Sequence, residues 1–346
     1  MRFGTAGRLI AASFLVLAGL GSLTGNAQSP TAAGVDPPAD PALVAAAKAE
    51  GKVTFYCAVI PKDCEGISTA FQKKYGITVN MLRIVSADMT ARFAAEKRAN
   101  ADTADVLLSS DLPFLNSGAS SGLLTSYAKA GLLPADYPKE WIAPGIDSPF
   151  EFEVLGIGYN TRMVKPQDVP KEWTDLLDPK WKGLMDGPSP AVSPAVPVIY
   201  GTIMEFVKDP DFLKKLGRQN IAHLAGGMVA ASASLGAGEY AIQAVANTGS
   251  LHAEKAKGAP VDIVYPKGAT GPPFIWALNA KPQRPNAQKL FAQFVISREG
   301  NKALFESNPG SASAYAKPSF PVTTPDFRYF EEEARKRVLS DLGLAK

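Results

Sequence analysis

The chain has 346 residues, 46% of them apolar, with 36 basic against 33 acidic side chains and a formal charge of +3. So small an excess gives no field with which to hold nucleic acid or an anionic membrane surface, and both partner classes are excluded. The length allows two lobes, each with a core of its own.

Arg2 and Arg8 precede an apolar run over residues 9–20, followed by Gly25-Asn26-Ala27. A basic start, a short apolar stretch and small residues predict a secretory signal over residues 1–27, cut after Ala27. The run is too short for an anchor, and no later segment is long and apolar enough to span a bilayer, so no membrane insertion is expected. Without residues 1–27 the chain keeps 34 basic and 33 acidic residues. Residues 28–41, rich in Pro, Ala and Ser, read as a disordered leader.

Residues 41–50 read as a first helix and 52–57 (KVTFYC) as an alternating strand. Ile67, Ala70, Phe71 and Tyr75 share one helical face that Gly76 stops. Residues 77–84 form the next strand. Ser86 starts a helix running to Lys97, with Asp88 in its first turn and Met89 and Phe93 one turn apart. Residues 105–109 (DVLLS) are short and apolar, like a buried parallel strand. This β-α-β-α-β order predicts a mostly parallel sheet covered by helices.

Residues 119–141 read as a surface excursion, and 150–159 as a crossing to a second lobe. There Val154, Ile157 and Tyr159 among small glycines predict a buried strand that Asn160-Thr161 ends. Trp173, Leu176 and Leu177 recur at helical spacing until Asp178-Pro179 stops them. Residues 187–197 are loop-rich, with helices expected at 198–207 and 210–218. A small-residue helix after Gly226-Gly227 ends at Ala237, and Gly238-Glu239-Tyr240 leads into a strand. Strands are expected at 261–265 and 274–278, with a return crossing between them at 268–273. Ala287, Leu290, Phe291, Phe294 and Val295 make an amphipathic stripe, and residues 327–342 close the chain as a charged helix.

Read in order, several pieces are more specific than their periodicity. They are FQKKYGITVN (residues 71–80), ADVLLSSD (104–111), GLL (122–124), the run GIGYNTRMVKPQDVPKEWTDLLDPKWKG (156–183), GEYAI (238–242), KGAPVDIVYP (257–266) and NAQKLFAQFVISREG (286–300). Their order and spacing resemble the extracellular solute-binding proteins of bacterial ABC importers, in the branch that contains the ferric-ion-binding members. The resemblance implies a two-lobed α/β fold of the type II periplasmic kind, each lobe a mostly parallel sheet flanked by helices, with the ligand cleft at the hinge. Residues 42–149 with 272–318 are expected to form lobe 1 and 150–271 lobe 2, with a C-terminal helix in 319–346 packing on lobe 2. The resemblance further implies a periplasmic monomer without cofactor or catalytic residues, whose partners are a small-molecule solute, a permease and a separate ATPase. No phosphate-cradling P-loop occurs in the chain itself.

The iron-binding members use a histidine after the first strand, a glutamate after the third and an adjacent tyrosine pair. By motif spacing these fall near Ile60, Ser110 and Thr248-Gly249, none of which can hold a ferric ion as those ligands do. No metal site is therefore expected, and the ligand is expected to be a phosphonate, phosphorylated or carboxylate compound. Ser86 stands at a helix start, where its hydroxyl and the following amides can meet negative charge. Ser109, Ser110 and Asp111 end a strand where α/β ligand crevices form. By resemblance Ser189 and Ser193 occupy a cleft-facing loop, and Thr248 stands where the tyrosine pair would be. Tyr56 and Trp276 are candidate aromatic walls. Each serine taken singly also reads as a cap or turn residue, and each aromatic as core.

Cys57 and Cys64 are the only cysteines. In an exported chain the default is one disulfide closing a short loop; the alternative is a thiolate pair for a soft metal, incomplete without a nearby histidine. Among other functions, a carrier of a ferric chelate and a sensor subunit reporting to a membrane kinase share this architecture. A secreted serine hydrolase is the reading from another class, since residues 118–122 (GASSG) match G-x-S-x-G around Ser120. That pattern needs a strand before it and a helix after, whereas residues 112–117 read as helix and Gly122-Leu123 as turn. The two histidines, His223 and His252, show no metal-ligand spacing.

Overall fold

A computed structural model describes residues 36–101, 103–191 and 193–345. The predicted signal and most of the predicted leader lie outside the described residues. The chain begins with α1 (Pro41–Glu50), β1 (Lys52–Cys57), α2 (Pro61–Tyr75), β2 (Thr78–Arg83), α3 (Ser86–Arg98), β3 (Val106–Ser109) and α4 (Leu112–Ser120). Short strands β4 (Leu124–Thr125) and β5 (Ile142–Ala143) precede β6 (Ser148–Glu153). Then come β7 (Leu155–Asn160), β8 (Met185–Pro188), α5 (Val196–Met204), α6 (Phe212–Gly217) and β9 (Ala222–Leu224). They are followed by α7 (Gly227–Ala237), β10 (Ile242–Asn247), α8 (Thr248–Ala256) and β11 (Val261–Val264). The return is β12 (Pro273–Asn279), α9 (Pro285–Val295), α10 (Arg298–Ser307), β13 (Ser311–Ala312) and α11 (Glu332–Asp341).

Among the described residues these strands make an eight-stranded sheet in the order β13-β6-β12-β3-β1-β2, with β4 and β5 at its side, and a five-stranded sheet in the order β11-β7-β10-β8-β9. Both sheets are mixed rather than mostly parallel. In the first, β1 lies parallel between β2 and β3, but β12 runs antiparallel to β3 and to β6. In the second, β8 is parallel to β9 and β10 while β7 opposes β10 and β11. In the first sheet, β6 carries the chain out of the lobe and β12 brings it back beside it in the opposite direction; in the second, the entering strand β7 opposes both of its neighbours.

The crossing is narrow. Phe150 pairs with Ile275 inside the first sheet, so the chain leaves that sheet at Val154 rather than at residue 150. The Val154 amide donates to the Gly310 carbonyl at 2.9 Å, and its own carbonyl accepts from the Thr248 hydroxyl at 2.7 Å. Alongside, the Leu155 amide donates to the Thr270 carbonyl at 2.8 Å. A Cβ on Gly271 would sit 1.8 Å from the Glu153 carbonyl oxygen, so the returning strand can pass this close only as glycine.

Each sheet has its own core. In the first, Phe71 meets Phe291 edge-on at 4.9 Å, and Phe55 stacks on Trp276 at 5.5 Å. Burying each phenyl contributes about 1.5–3 kcal/mol. Trp173, Trp181, Tyr200 and Phe212 build the second core, which Val338 of α11 and Leu342 just after it join. Trp173–Leu177 is a single 3₁₀ segment rather than an α-helix, because Asp178-Pro179 stops it after one turn. Cys57 and Cys64 are joined as a disulfide, so the thiolate-pair alternative is not realised.

Candidate functional site

The lobes face each other across a cavity of about 60 Å³. Its wall begins with the starts of three helices. Ile60 precedes α2, Val85 precedes α3 and Gly226 precedes α7, and no side chain caps any of the three. All three of these residues or their successors line the cavity. Side-chain caps are present on α1 (Asp40), α4 (Asp111), α8 (Asn247) and α10 (Ser297), while α5, α6, α9 and α11 also start without one, so it is the gathering of three such starts at one cavity that sets these apart. The first amides of a helix lack intrahelical acceptors and carry partial positive charge, so uncapped starts gathered at one place attract an anion.

Arg83, the last residue of β2, is the one cation among the described residues that line the cavity. Its Nε donates to the Val59 carbonyl at 3.1 Å. No hydrogen bond or ion pair among the described residues uses its terminal nitrogens. Burial pulls its pKa down and the nearby Glu153 opposes that pull, but a guanidinium stays charged at any physiological pH. Beside it, Ser86 and Ser110 are buried, with hydroxyls 3.0 Å apart, and the Ser110 amide donates to the Ser86 oxygen at 3.0 Å. From the second lobe Ser193, Pro188, Gly226-Gly227, Met228 and Val229 complete the wall.

Glu153, at the end of β6, is the one lining anion. Its Oε1 accepts from the Ile60 amide at 3.3 Å and its Oε2 from the Asn247 side-chain amide, which ties the first lobe to the second. Asp63 lies close by, accepting from Asn308 at 3.1 Å and from the Ser311 hydroxyl at 3.2 Å. Burial and the Glu153 charge push Asp63 well above the usual carboxylate range. Burial also raises Glu153, against the hydrogen bonds that favour its charged form, and Glu151 is pushed well up by burial next to Glu153.

The model of the bacterial extracellular solute-binding protein family matches residues 101–336. The chain belongs to that family. A curated relative, an uncharacterized protein of Haemophilus influenzae, is 28% identical over 284 residues, covering 77% of this chain and 78% of its own. Among solved structures, the periplasmic binding protein AfuA of Actinobacillus pleuropneumoniae, with fructose-6-phosphate bound, is 23% identical with a TM-score of 0.65. That match covers 86% of this chain and all of AfuA. Iron-bound HitA of Pseudomonas aeruginosa gives 22% and 0.64, over 84% of this chain and 98% of HitA. The substrate-binding protein of an ABC transporter from Agrobacterium tumefaciens gives 15% and 0.67, over 84% and 94%. At such identities the structures establish the two-lobed type II periplasmic binding fold.

This solute-binding protein gathers some of its sequence candidates and disperses others. Ser86, Ser110 and Ser193 line the cavity. Ser109 is buried and accepts from the Asp111 amide at 3.2 Å. Asp111 caps α4 and accepts from the Thr90 hydroxyl at 2.9 Å. The Ser189 hydroxyl accepts from the Ala191 amide in a local turn. Thr248 is buried against Val154 and Tyr265 as part of the crossing. Tyr56 turns to α3, its hydroxyl donating to Glu96 at 2.8 Å, and Trp276 lies in the first core with its indole toward Glu151. At Gly249 an added Cβ would lie 2.6 Å from both Ile60 and Asn308, so no tyrosine can stand there without displacing them.

The hydrolase reading loses its local context. Ser120 sits in the last turn of α4 with its hydroxyl donating to the Asn116 carbonyl at 2.9 Å, not on a strand-to-helix turn. His223 lies on β9, one ring nitrogen 3.1 Å from the Pro188 carbonyl. Sequence reasoning missed Arg83 and Glu153. Both close a strand at the edge where ligand crevices form in open α/β sheets, and that position was the signal available for Arg83.

Proposed function

We propose that this protein is the periplasmic binding component of an ABC importer, a monomer exported by its N-terminal signal, and that it holds a small anionic solute between its lobes. Arg83, Ser86, Ser110 and the starts of α2 and α3 bind from one side; Ser193 and the start of α7 bind from the other. The observation that carries the reading is the convergence of three uncapped helix starts on an arginine whose terminal nitrogens have no protein partner among the described residues. One relative of the same fold was solved with fructose-6-phosphate, a ligand with an anionic group of this kind. A phosphate, phosphonate or carboxylate group fits the donors, and the rest of the solute reaches into the apolar side formed by Met228, Val229 and Phe274.

The lobes are joined at Val154, at residues 270–272 and by the segment that leads from β13 to α11, so closure is a rotation about those links. An anion that touches both lobes stabilises the closed arrangement by its differential affinity, and the closed form is what a permease distinguishes from the empty one. The protein performs no chemistry, and ATP is hydrolysed by a separate subunit. Native mass spectrometry of the protein purified from the periplasm gives the mass of any retained solute. A melting-temperature screen of phosphonates, sugar phosphates, carboxylates and ferric chelates then ranks candidates, since a ligand of the folded state raises the midpoint. If no anion raises it while a neutral or cationic solute does, the reading fails.

A further inference from the structure

Asp63 and Glu153 bring two buried carboxyl groups together at the junction of the lobes. The Oδ2 atom of Asp63 accepts from the Asn308 side chain at 3.1 Å and from the Ser311 hydroxyl at 3.2 Å. Its Oδ1 has no donor among the described residues, and the side chain is in hydrogen-bond contact with Glu153. Both oxygens of Glu153 already accept, one from the Ile60 amide and one from the Asn247 side chain. Two carboxyl groups can share a hydrogen bond only with a proton between them; without it they are like charges in a buried place. Asp63 Oδ1, the oxygen with no donor of its own, is the one to carry that proton and donate it to Glu153.

The groups around this pair come from both lobes. Asp63 lies in the first turn of α2, and Ser311 of β13 pairs with Glu153 of β6. Asn247 ends β10 in the second lobe and caps α8, accepting from the Ser250 amide at 2.8 Å. We propose that the proton shared by Asp63 and Glu153 is a clasp on the lobe junction: while it is in place Glu153 stays bound to Ile60 of the first lobe and Asn247 of the second, and its loss frees the second lobe to move. Among charged groups facing the pair, Arg83 from β2 steadies the Glu153 charge, while Glu151, two residues back on the same face of β6, opposes ionisation of Asp63. Asn247, Asn308 and Ser311 bring only neutral groups from β10 and from the chain at β13. Burial and the Glu153 charge push Asp63 well above the usual carboxylate range, so the clasped state keeps a proton that an opened junction gives up. Opening therefore becomes easier as the pH rises above about 4, and the change levels off once the clasped pair has ionised. The clasp operates without ligand, so its test is independent of what the cavity binds.

Hydrogen–deuterium exchange of the ligand-free protein from about pH 5 to about pH 9, corrected for intrinsic exchange rates, tests the proposal. The amides to follow are Ile60, which donates to Glu153, and Val154 and Thr248, which donate across the junction to the Gly310 and Val154 carbonyls. In the wild type their protection should fall by up to about tenfold per pH unit, more steeply than that of the β1 amides. Asp63→Asn keeps a donor for Glu153 and an acceptor for Asn308 and Ser311 but cannot ionise, so the excess slope should vanish. If D63N does not fold, Glu153→Gln removes the like charge from the other side and should flatten the slope in the same way. A wild-type slope at the junction no steeper than that of β1 overturns the proposal. So does a folded D63N or E153Q protein that keeps the excess slope, since the titrating group would then lie elsewhere.

Discussion

The Ser110 amide donates to the Ser86 hydroxyl oxygen at 3.0 Å, so the residue that opens α3 also fixes the loop that follows β3. Both serines are buried. Ser86→Ala removes the acceptor and leaves the Ser110 amide unpaired, which costs about 1–3 kcal/mol of stability. It also removes a donor from the cavity wall, so affinity for the retained solute falls. Urea unfolding and titration with the solute identified by native mass spectrometry check both effects. If stability drops and affinity does not, Ser86 is a structural bridge only.

Arg83 carries the strongest expectation for binding. Its guanidinium is the one positive side chain in the described lining, and its Nε bond to Val59 orients the planar fork. Arg83→Ala should weaken anion binding by about a hundredfold, as expected for a lost charge-assisted contact in a desolvated site. Arg83→Lys should recover only part of the loss, because an ammonium on a flexible stem cannot make the Val59 bond and present two nitrogens together. The melting temperature without ligand should change little in either variant. A lysine variant that binds as tightly as wild type would show that charge alone is used.

The disulfide brackets the same wall. Within the loop closed by Cys57 and Cys64, Ala58 and Ile60 line the cavity, the Val59 carbonyl holds Arg83 and the Ile60 amide holds Glu153. Opening so short a loop releases about 2–3 kcal/mol of chain entropy to the unfolded state. Reduction, or the double change Cys57→Ser with Cys64→Ser, should lower the unfolding free energy by that amount, seen as a lower urea midpoint. It should also weaken binding at temperatures where the protein stays folded. Unchanged affinity in the folded, reduced protein would restrict the disulfide to stability.

The order of elements was legible because their periods are strong: the Ile67, Ala70, Phe71, Tyr75 face and the alternating KVTFYC strand both read directly onto α2 and β1. Strand direction was not. Strands β6 and β12 are buried along their whole length, and local patterning says nothing of which way they run, so the sheets were expected to be more parallel than they are. Strands β8 and β9 were missed among small residues and prolines, where local patterning is weak. For the site, the serines at helix and strand ends were visible by chemistry, but orientation decided between them. Ser86 and Ser110 turn to the cavity, while the equally polar Ser109 and Thr248 turn inward to backbone partners. Glu153 was hidden in the apolar strand SPFEFE, where a carboxylate can be understood only once Ile60 and Asn247 are seen around it.

The last expectation concerns a carboxylate away from the cavity. Asp186 on β8 is fully buried, and neither of its oxygens has a hydrogen-bond partner among the described residues. Burial, with a smaller push from Glu239, raises its pKa from 3.8 to about 8. The folded state therefore keeps a proton that the unfolded chain gives up above its ordinary pKa. The sign follows from linkage: where the folded state binds more protons than the unfolded one, stability falls as pH rises. From Asp186 alone the fall runs from about pH 4 to about pH 8, at most about 1.4 kcal/mol per unit, and levels off above that window. Asp63, Glu151 and Glu153, also raised, add in the same direction. Asp186→Asn mimics the protonated acid and cannot ionise. Urea unfolding from pH 4 to pH 8 should show the two proteins converging at the acid end, with the variant more stable by a growing margin toward pH 8. Parallel stability curves for the two proteins would mean that Asp186 ionises normally in the fold.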